Sequence, residues 1–300
     1  MKDQRPHVAI HMRAGVGDAA IMSTKLRGIR EAHPEARVRC YLNSPRPEVV
    51  RVLLDASPYL DEVRTTPYSR PLDERTADVI RAWADDGTFY HLDVLPLGAS
   101  ADGAQVAIDR IHPEIPFDPY PEVCFPGEVE QWADEIEAEC RADGALLVGF
   151  HLHAIHGRPT DEDPRRYKEW SQPRWQRLAD LLAGHAPCRI VLFGGPRDNW
   201  DVPEGPHVRN LIGWITAAQS LALARRLDML VGVDSALKSC TLIFGVPTVM
   251  LWDERNPDPK ECWFPDFYQR IEQNAVFSTT ARAEEVFDFV HRHLPTPVGT

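Results

Sequence analysis

Asp18 closes the stretch His11-Met12-Arg13-Ala14-Gly15-Val16-Gly17-Asp18. A carboxylate in such a glycine turn can take a proton from an attacking hydroxyl. Read as Gly15-x-Gly17-x-x-Ala20, the same turn fits the loop that cradles a dinucleotide pyrophosphate. That fold asks for an acidic residue about 20 positions on, where the second strand ends, to hold the ribose. Here the strand ends in Tyr41-Leu42-Asn43-Ser44-Pro45, with no acid, which disfavours an NAD dehydrogenase. Asp18 also reads as the N-cap of the following helix, and capping is compatible with service as a base.

Three further loops carry polar groups at strand ends. Arg165, Arg166 and Lys168 precede a helical stretch, and basic side chains beside a helix N-terminus make an anion site; a solvated basic turn is the alternative. In Leu192–Trp200, LFGGPRDNW, two glycines let a ligand approach the backbone. Asp198 there can accept hydrogen bonds from a ribose, with a plain tight turn as the alternative. Asp234-Ser235 ends an apolar run and opens a short helix. The amides of Ala236 and Leu237, the Ser235 hydroxyl and Lys238 can converge on a diphosphate. Trp252, at another strand end, can line a base pocket. Asp161-Glu162-Asp163 mimics a metal-holding DxD but lies in a polar, proline-flanked loop. His151-x-His153 places two rings on one strand face without an evident third ligand, so no metal site is expected.

The elements that must position these loops follow from periodicity. Strands are expected at 7–12, 37–42, 89–97, 145–153, 188–195, 228–235 and 247–252. Helices are expected from Ala19 through Ile29 and at 47–57, 75–87, 128–144, 173–185, 216–227, 236–245 and 281–294. This β-α alternation implies mostly parallel sheets and runs twice. Ligands of such sheets bind at the carboxyl ends of the strands. Residues 111–128 are dense in proline and hold little regular structure.

Bulk properties narrow the function. The 300 residues carry a formal net charge of −12 and a pI near 5.5, which disfavours nucleic acid as a partner. No apolar run reaches the roughly 18 residues that span a bilayer, and Met1–Ile10 has no signal-peptide core. A cytoplasmic protein without stable membrane insertion is the expectation. The six cysteines, Cys40, Cys124, Cys140, Cys188, Cys240 and Cys262, are scattered, as expected of reduced thiols that behave as small buried hydrophobes.

Three segments taken together, GVGDAAIMSTKLRGIREAHPEARV, KEWSQPRWQRLADLL…RIVLFGGPRD and NLIGWITAAQSLALARRLDMLVGVDSALKSCTLIFGVPTVMLW, resemble glycosyltransferase family 9, the ADP-heptose heptosyltransferases. The resemblance covers the first 40 residues and most of the C-terminal half. It implies a GT-B fold, with two Rossmann-like domains facing across a cleft: 1–144 for the acceptor, 145–280 for the nucleotide-sugar, and a helix in 281–300 crossing back to the first domain. It also implies inverting, metal-independent transfer without a cofactor, the donor being a nucleotide-diphospho-sugar, ADP-heptose above all, and the acceptor a carbohydrate or small molecule.

By position, the resemblance makes Asp18 the base, in a loop where Gly15 and Gly17 let the substrates approach. Lys168 holds the diphosphate. Asp198 meets the ribose, and Asp234 the sugar hydroxyls. Ser235, Ala236 and Leu237 contact phosphate. Two departures stand out: Lys238 occupies a place where the family often has histidine, and Asp253–Pro257, DERNP, replaces Gly-Pro-Thr-Asp-Pro. Alternatives left open are a GT-B-like sugar-nucleotide epimerase or hydrolase and a non-catalytic nucleotide-sugar-binding protein.

Overall fold

A computed structural model describes residues 5–68, 74–84, 88–93, 110–142, 144–153, 169–256 and 260–295. The chain forms two compact units. In the first, β1 (His7–Arg13) leads through α1 (Val16–Ser23) and α2 (Leu26–Ala32) to β2 (Arg37–Asn43). There follow α3 (Pro47–Leu54), β3 (Glu62–Thr66), α4 (Glu74–Arg81) and β4 (Phe89–Leu92). The sheet order is β3-β2-β1-β4, parallel throughout. Central β1 is buried along its middle because Val8, Ile10 and Met12 face one layer of helices, as a parallel sheet requires. Pro47 starts α3, where its fixed φ suits a first helical turn.

The second unit begins with α5 (Gly127–Cys140). It continues through β5 (Leu146–His151), α6 (Gln172–His185), β6 (Cys188–Phe193), β7 (Val208–Asn210), α7 (Ala217–Ala224), β8 (Met229–Val233), α8 (Ala236–Ile243) and β9 (Thr248–Trp252). After α9 (Lys260–Trp263) come α10 (Asp266–Gln269), β10 (Ala275–Ser278) and α11 (Ala283–His293). The order is β10-β9-β8-β5-β6-β7, again parallel. Val148, Phe150, Ile190, Leu192, Val231 and Leu251 pack against Trp175 and Leu178 of α6 and Val286 and Val290 of α11.

The units divide between Cys124 and Phe125, and within the second unit α5 docks its acidic face on the end of α7. Glu130 binds Arg225 at 2.7 Å and Arg226 at 2.8 Å, and Arg141 binds Asp228 at 2.6 Å. Helix α11 completes the core of the second unit. The segment that joins the first unit is Asp258–Pro265. Among the described residues no helix is long and apolar enough to cross a membrane.

Candidate functional site

In the first unit, β1 runs into the Gly15 turn under tight control. The Ala14 amide donates to the Asn43 carbonyl at 3.1 Å, tying the turn to β2. Gly15 is the N-cap of α1 with φ −78° and ψ −178°, so Asp18 is the third helical residue, not the cap expected above. Its Oδ2 accepts the Gly15 N–H at 2.8 Å, the return half of a capping box. The half-buried carboxylate lies in the first turn, where the helix dipole stabilises an anion. Capping and presentation at the strand's carboxyl end therefore coexist in one residue. Gly17 is in the same first turn.

Next to this turn lies a polar block that the sequence did not reveal. Arg13 and Asp93 form a bidentate ion pair, Nη2–Oδ1 2.8 Å and Nε–Oδ2 2.5 Å, with side chains 10% and 4% exposed. One row back, His11 and His91 are register partners on β1 and β4, with their Nδ1 atoms 2.9 Å apart and their rings stacked. His11 is fully buried. Burial first, then the neighbouring His91 and Arg13, lower its pKa from 6.5 to about 3, so it is neutral. Only one proton can lie between the two Nδ1 atoms, and the Nε2 of His11 is buried with no hydrogen-bond partner among the described residues.

In the second unit the strand ends gather most of the expected donor residues. Ser235 caps α8 with its backbone, but its hydroxyl makes no capping bond. The Oγ is buried with no hydrogen-bond partner among the described residues. A hydroxyl left unsatisfied costs free energy, and this one stands at a helix start where amides already favour an anion. Ala236 is exposed and the Leu237 side chain is buried in the core, so Leu237 can offer only its amide.

Lys238 differs from expectation. It is 1% exposed, with Nζ 3.4 Å from Asp234 Oδ1, so its charge is matched to Asp234 rather than presented outward. Asn256, from the DERNP segment, donates to Asp234 Oδ2 at 3.3 Å. The next carboxylate, Asp253, is gripped by Arg255 Nε at 2.8 Å and by the Thr279 hydroxyl at 2.8 Å. The Arg255 contacts above all hold its pKa well below the usual carboxylate range.

At the end of β6, Asp198 Oδ2 accepts the Gly195 N–H at 2.7 Å and the Asp198 N–H returns to Gly195 O at 2.9 Å. The carboxylate thus closes its own turn. Trp252 is 7% exposed, packed within the sheet rather than offered as a wall. Among the described tryptophans the exposed indole is Trp214, 80% exposed. It follows Gly213 (φ +77°), whose added Cβ would lie 2.8 Å from Pro196 Cα, so Trp214 stands beside the Gly194–Asp198 turn. Sequence reasoning passed over it, although a Gly-Trp pair just ahead of the Thr216–Gln219 capping box marks a loop.

Lys168, Arg165, Arg166 and the Asp161–Asp163 run lie outside the described residues. The two ring nitrogens of His153 are taken up by Glu169 at 2.7 Å and the Trp200 carbonyl at 3.0 Å. Among the described residues no cluster of three or more histidine, cysteine or acidic side chains could hold a metal ion. Five cysteines are buried and Cys124 is exposed; burial raises the Cys40 and Cys240 thiols to about 12.

No family profile matches the sequence, and no curated protein matches it. Solved structures do match. A glycosyl transferase family 9 protein from Veillonella parvula superposes with a TM-score of 0.67 at 16% identity over 98% of each chain. An E. coli ADP-heptose lipopolysaccharide heptosyltransferase II gives 0.65 at 16% identity, over 96% of this chain and 98% of its own. The E. coli heptosyltransferase WaaC with ADP gives 0.60 at 14% identity, over 96% and 99%. At these identities the likeness establishes the fold: this chain has the GT-B α/β fold of those proteins.

Proposed function

We propose that this protein is an inverting, metal-independent glycosyltransferase that moves a sugar from a nucleotide-diphospho-sugar to an acceptor hydroxyl of a saccharide or small natural product. ADP-heptose is the proposed donor, by analogy with neighbours described as an ADP-heptose heptosyltransferase and as a heptosyltransferase with ADP. The observation that carries the proposal is the unsatisfied, buried Ser235 hydroxyl at the start of α8, in a fold whose strand ends also present Asp18.

The proposed chemistry follows from the groups available. Asp18 takes the proton of the acceptor hydroxyl as that oxygen bonds to the anomeric carbon. The bond from that carbon to the diphosphate oxygen breaks, and the nucleoside diphosphate leaves with the electron pair. Its charge falls on Lys168, the α8 amides of Ala236 and Leu237, and Ser235 Oγ. Each such contact can lower the barrier by about 3–4 kcal/mol. Asp234, held between Lys238 and Asn256, receives the sugar hydroxyls. Asp198 and Trp214 receive the nucleoside in this reading, the indole serving as a stacking face in place of Trp252. The protein acts as a cytoplasmic enzyme.

A panel of ADP-, GDP- and UDP-sugars, read by thermal shift and calorimetry, tests the donor. ADP-heptose raising the melting temperature most is the expected result. Preference for a UDP- or GDP-sugar refutes the ADP assignment.

A further inference from the structure

The Arg13–Asp93 pair is not explained by stability. Two charges taken from water lose several kcal/mol of solvation each, and apolar replacements of buried pairs are often neutral or better. The opposite face of the same strands takes the apolar solution, with Ile10 and Met12 of β1 and Leu92 of β4 fully buried. The polar block is local: Arg13 is the last residue of β1, and Asp93 follows the last residue of β4. Both stand at the carboxyl end of the sheet, where the Gly15 turn begins.

We infer that Arg13 and Asp93 are positioning residues for Asp18, an inference that rests on the proposed transfer reaction. Three consecutive ties fix the turn. The Arg13 side chain is clamped to Asp93 beyond β4, the Ala14 amide to the Asn43 carbonyl on β2, and the Gly15 amide to the carboxylate of Asp18. The first tie is a two-point fork, which fixes the angle of the guanidinium as well as its distance. The stacked His11–His91 pair lies directly behind it and bridges the same two strands. A base must hold its oxygen within hydrogen-bond reach of the attacking hydroxyl. A displacement of about 1 Å in such a constellation can cost about 10²-fold in rate.

The test uses the full-length protein. Arg13→Lys keeps the charge and loses the fork; Arg13→Met/Asp93→Leu removes both charges together. Thermal unfolding establishes that each variant folds, and Arg13→Lys decides the matter should the double variant not fold. The readouts are the transfer kcat, the ADP-heptose Kd, and hydrogen exchange of the Gly15 amide. The expected result is a kcat lower by about 10²-fold, an unchanged Kd, and faster exchange at Gly15 as its bond to Asp18 loosens. An unchanged Gly15 exchange rate, or an unchanged kcat, overturns the inference. A wild-type protein that transfers no sugar condemns the proposed function instead, and leaves Gly15 exchange to decide the positioning.

Discussion

Asp18, Asp234 and Asp253 are three carboxylates at strand ends, and their surroundings give them different chemistry. Asp253 is clamped by Arg255 and Thr279, which hold it ionised and weakly basic; it is a poor proton acceptor. Asp234 faces a buried ammonium. Removing that ammonium in Lys238→Met leaves a largely buried carboxylate with less compensation, and denaturant unfolding should show a loss of about 3 kcal/mol. Stability equal to wild type would mean that the pair contributes nothing. Trp214 makes the opposite prediction. Being 80% exposed, it can be lost without harm to the fold, so Trp214→Ala should leave the melting temperature alone. It should weaken donor binding about tenfold, the scale of one base–aromatic stack; calorimetry giving the wild-type Kd would remove Trp214 from the site.

Elements differ in how plainly the sequence announced them. The strands missed by periodicity are β3, β7 and β10, and each is a sheet edge. An edge strand is half covered, so Glu62-Val63-Arg64-Thr65-Thr66 never becomes the continuous apolar run that marks a buried parallel strand. The helix read as continuous from Ala19 through Ile29 is two helices. The Ser23 and Thr24 hydroxyls bond back to the Ala20 and Ile21 carbonyls, competing with the helical ladder. The strand-end loops were legible because local composition makes a turn. The Arg13–Asp93 pair was not, since its members lie 80 positions apart and only strand order brings them together. Gly28 in α2 gives a test at this scale. Helix propensity predicts that Gly28→Ala gains about 1 kcal/mol. An added Cβ would, however, meet the Pro116 carbonyl oxygen at 2.9 Å, in a segment pinned by Lys25 to Ile115 O at 2.9 Å. A net loss of stability in denaturant unfolding is expected; a gain would mean that the segment yields freely.

The whole molecule should carry the mark of His11 in its response to acid. Its folded pKa, lowered to about 3 from 6.5, means that folded and unfolded chains agree in protonation above pH 6.5. As pH falls below that value the unfolded chain binds a proton that folded His11, beside His91 and Arg13, refuses. Stability then falls by about 1.4 kcal/mol per pH unit, or about 2 kcal/mol by pH 5, and the loss levels off near pH 3. His11→Gln should flatten the curve between pH 6.5 and 5 by that amount; an unaltered slope would place the titration elsewhere. Acid sensitivity, the polar block and the Gly15 turn all belong to the first unit, while the unsatisfied Ser235 hydroxyl belongs to the second. The proposed transfer asks each unit for a separate part, a base from the first and a leaving-group site from the second. That division is tested most directly with Asp18→Asn, which keeps the shape of the side chain and removes its basicity. Single-turnover transfer from ADP-heptose should fall by at least about 10²-fold, with the donor Kd unchanged by calorimetry. Transfer at the wild-type rate would contradict the assignment of Asp18 as the base.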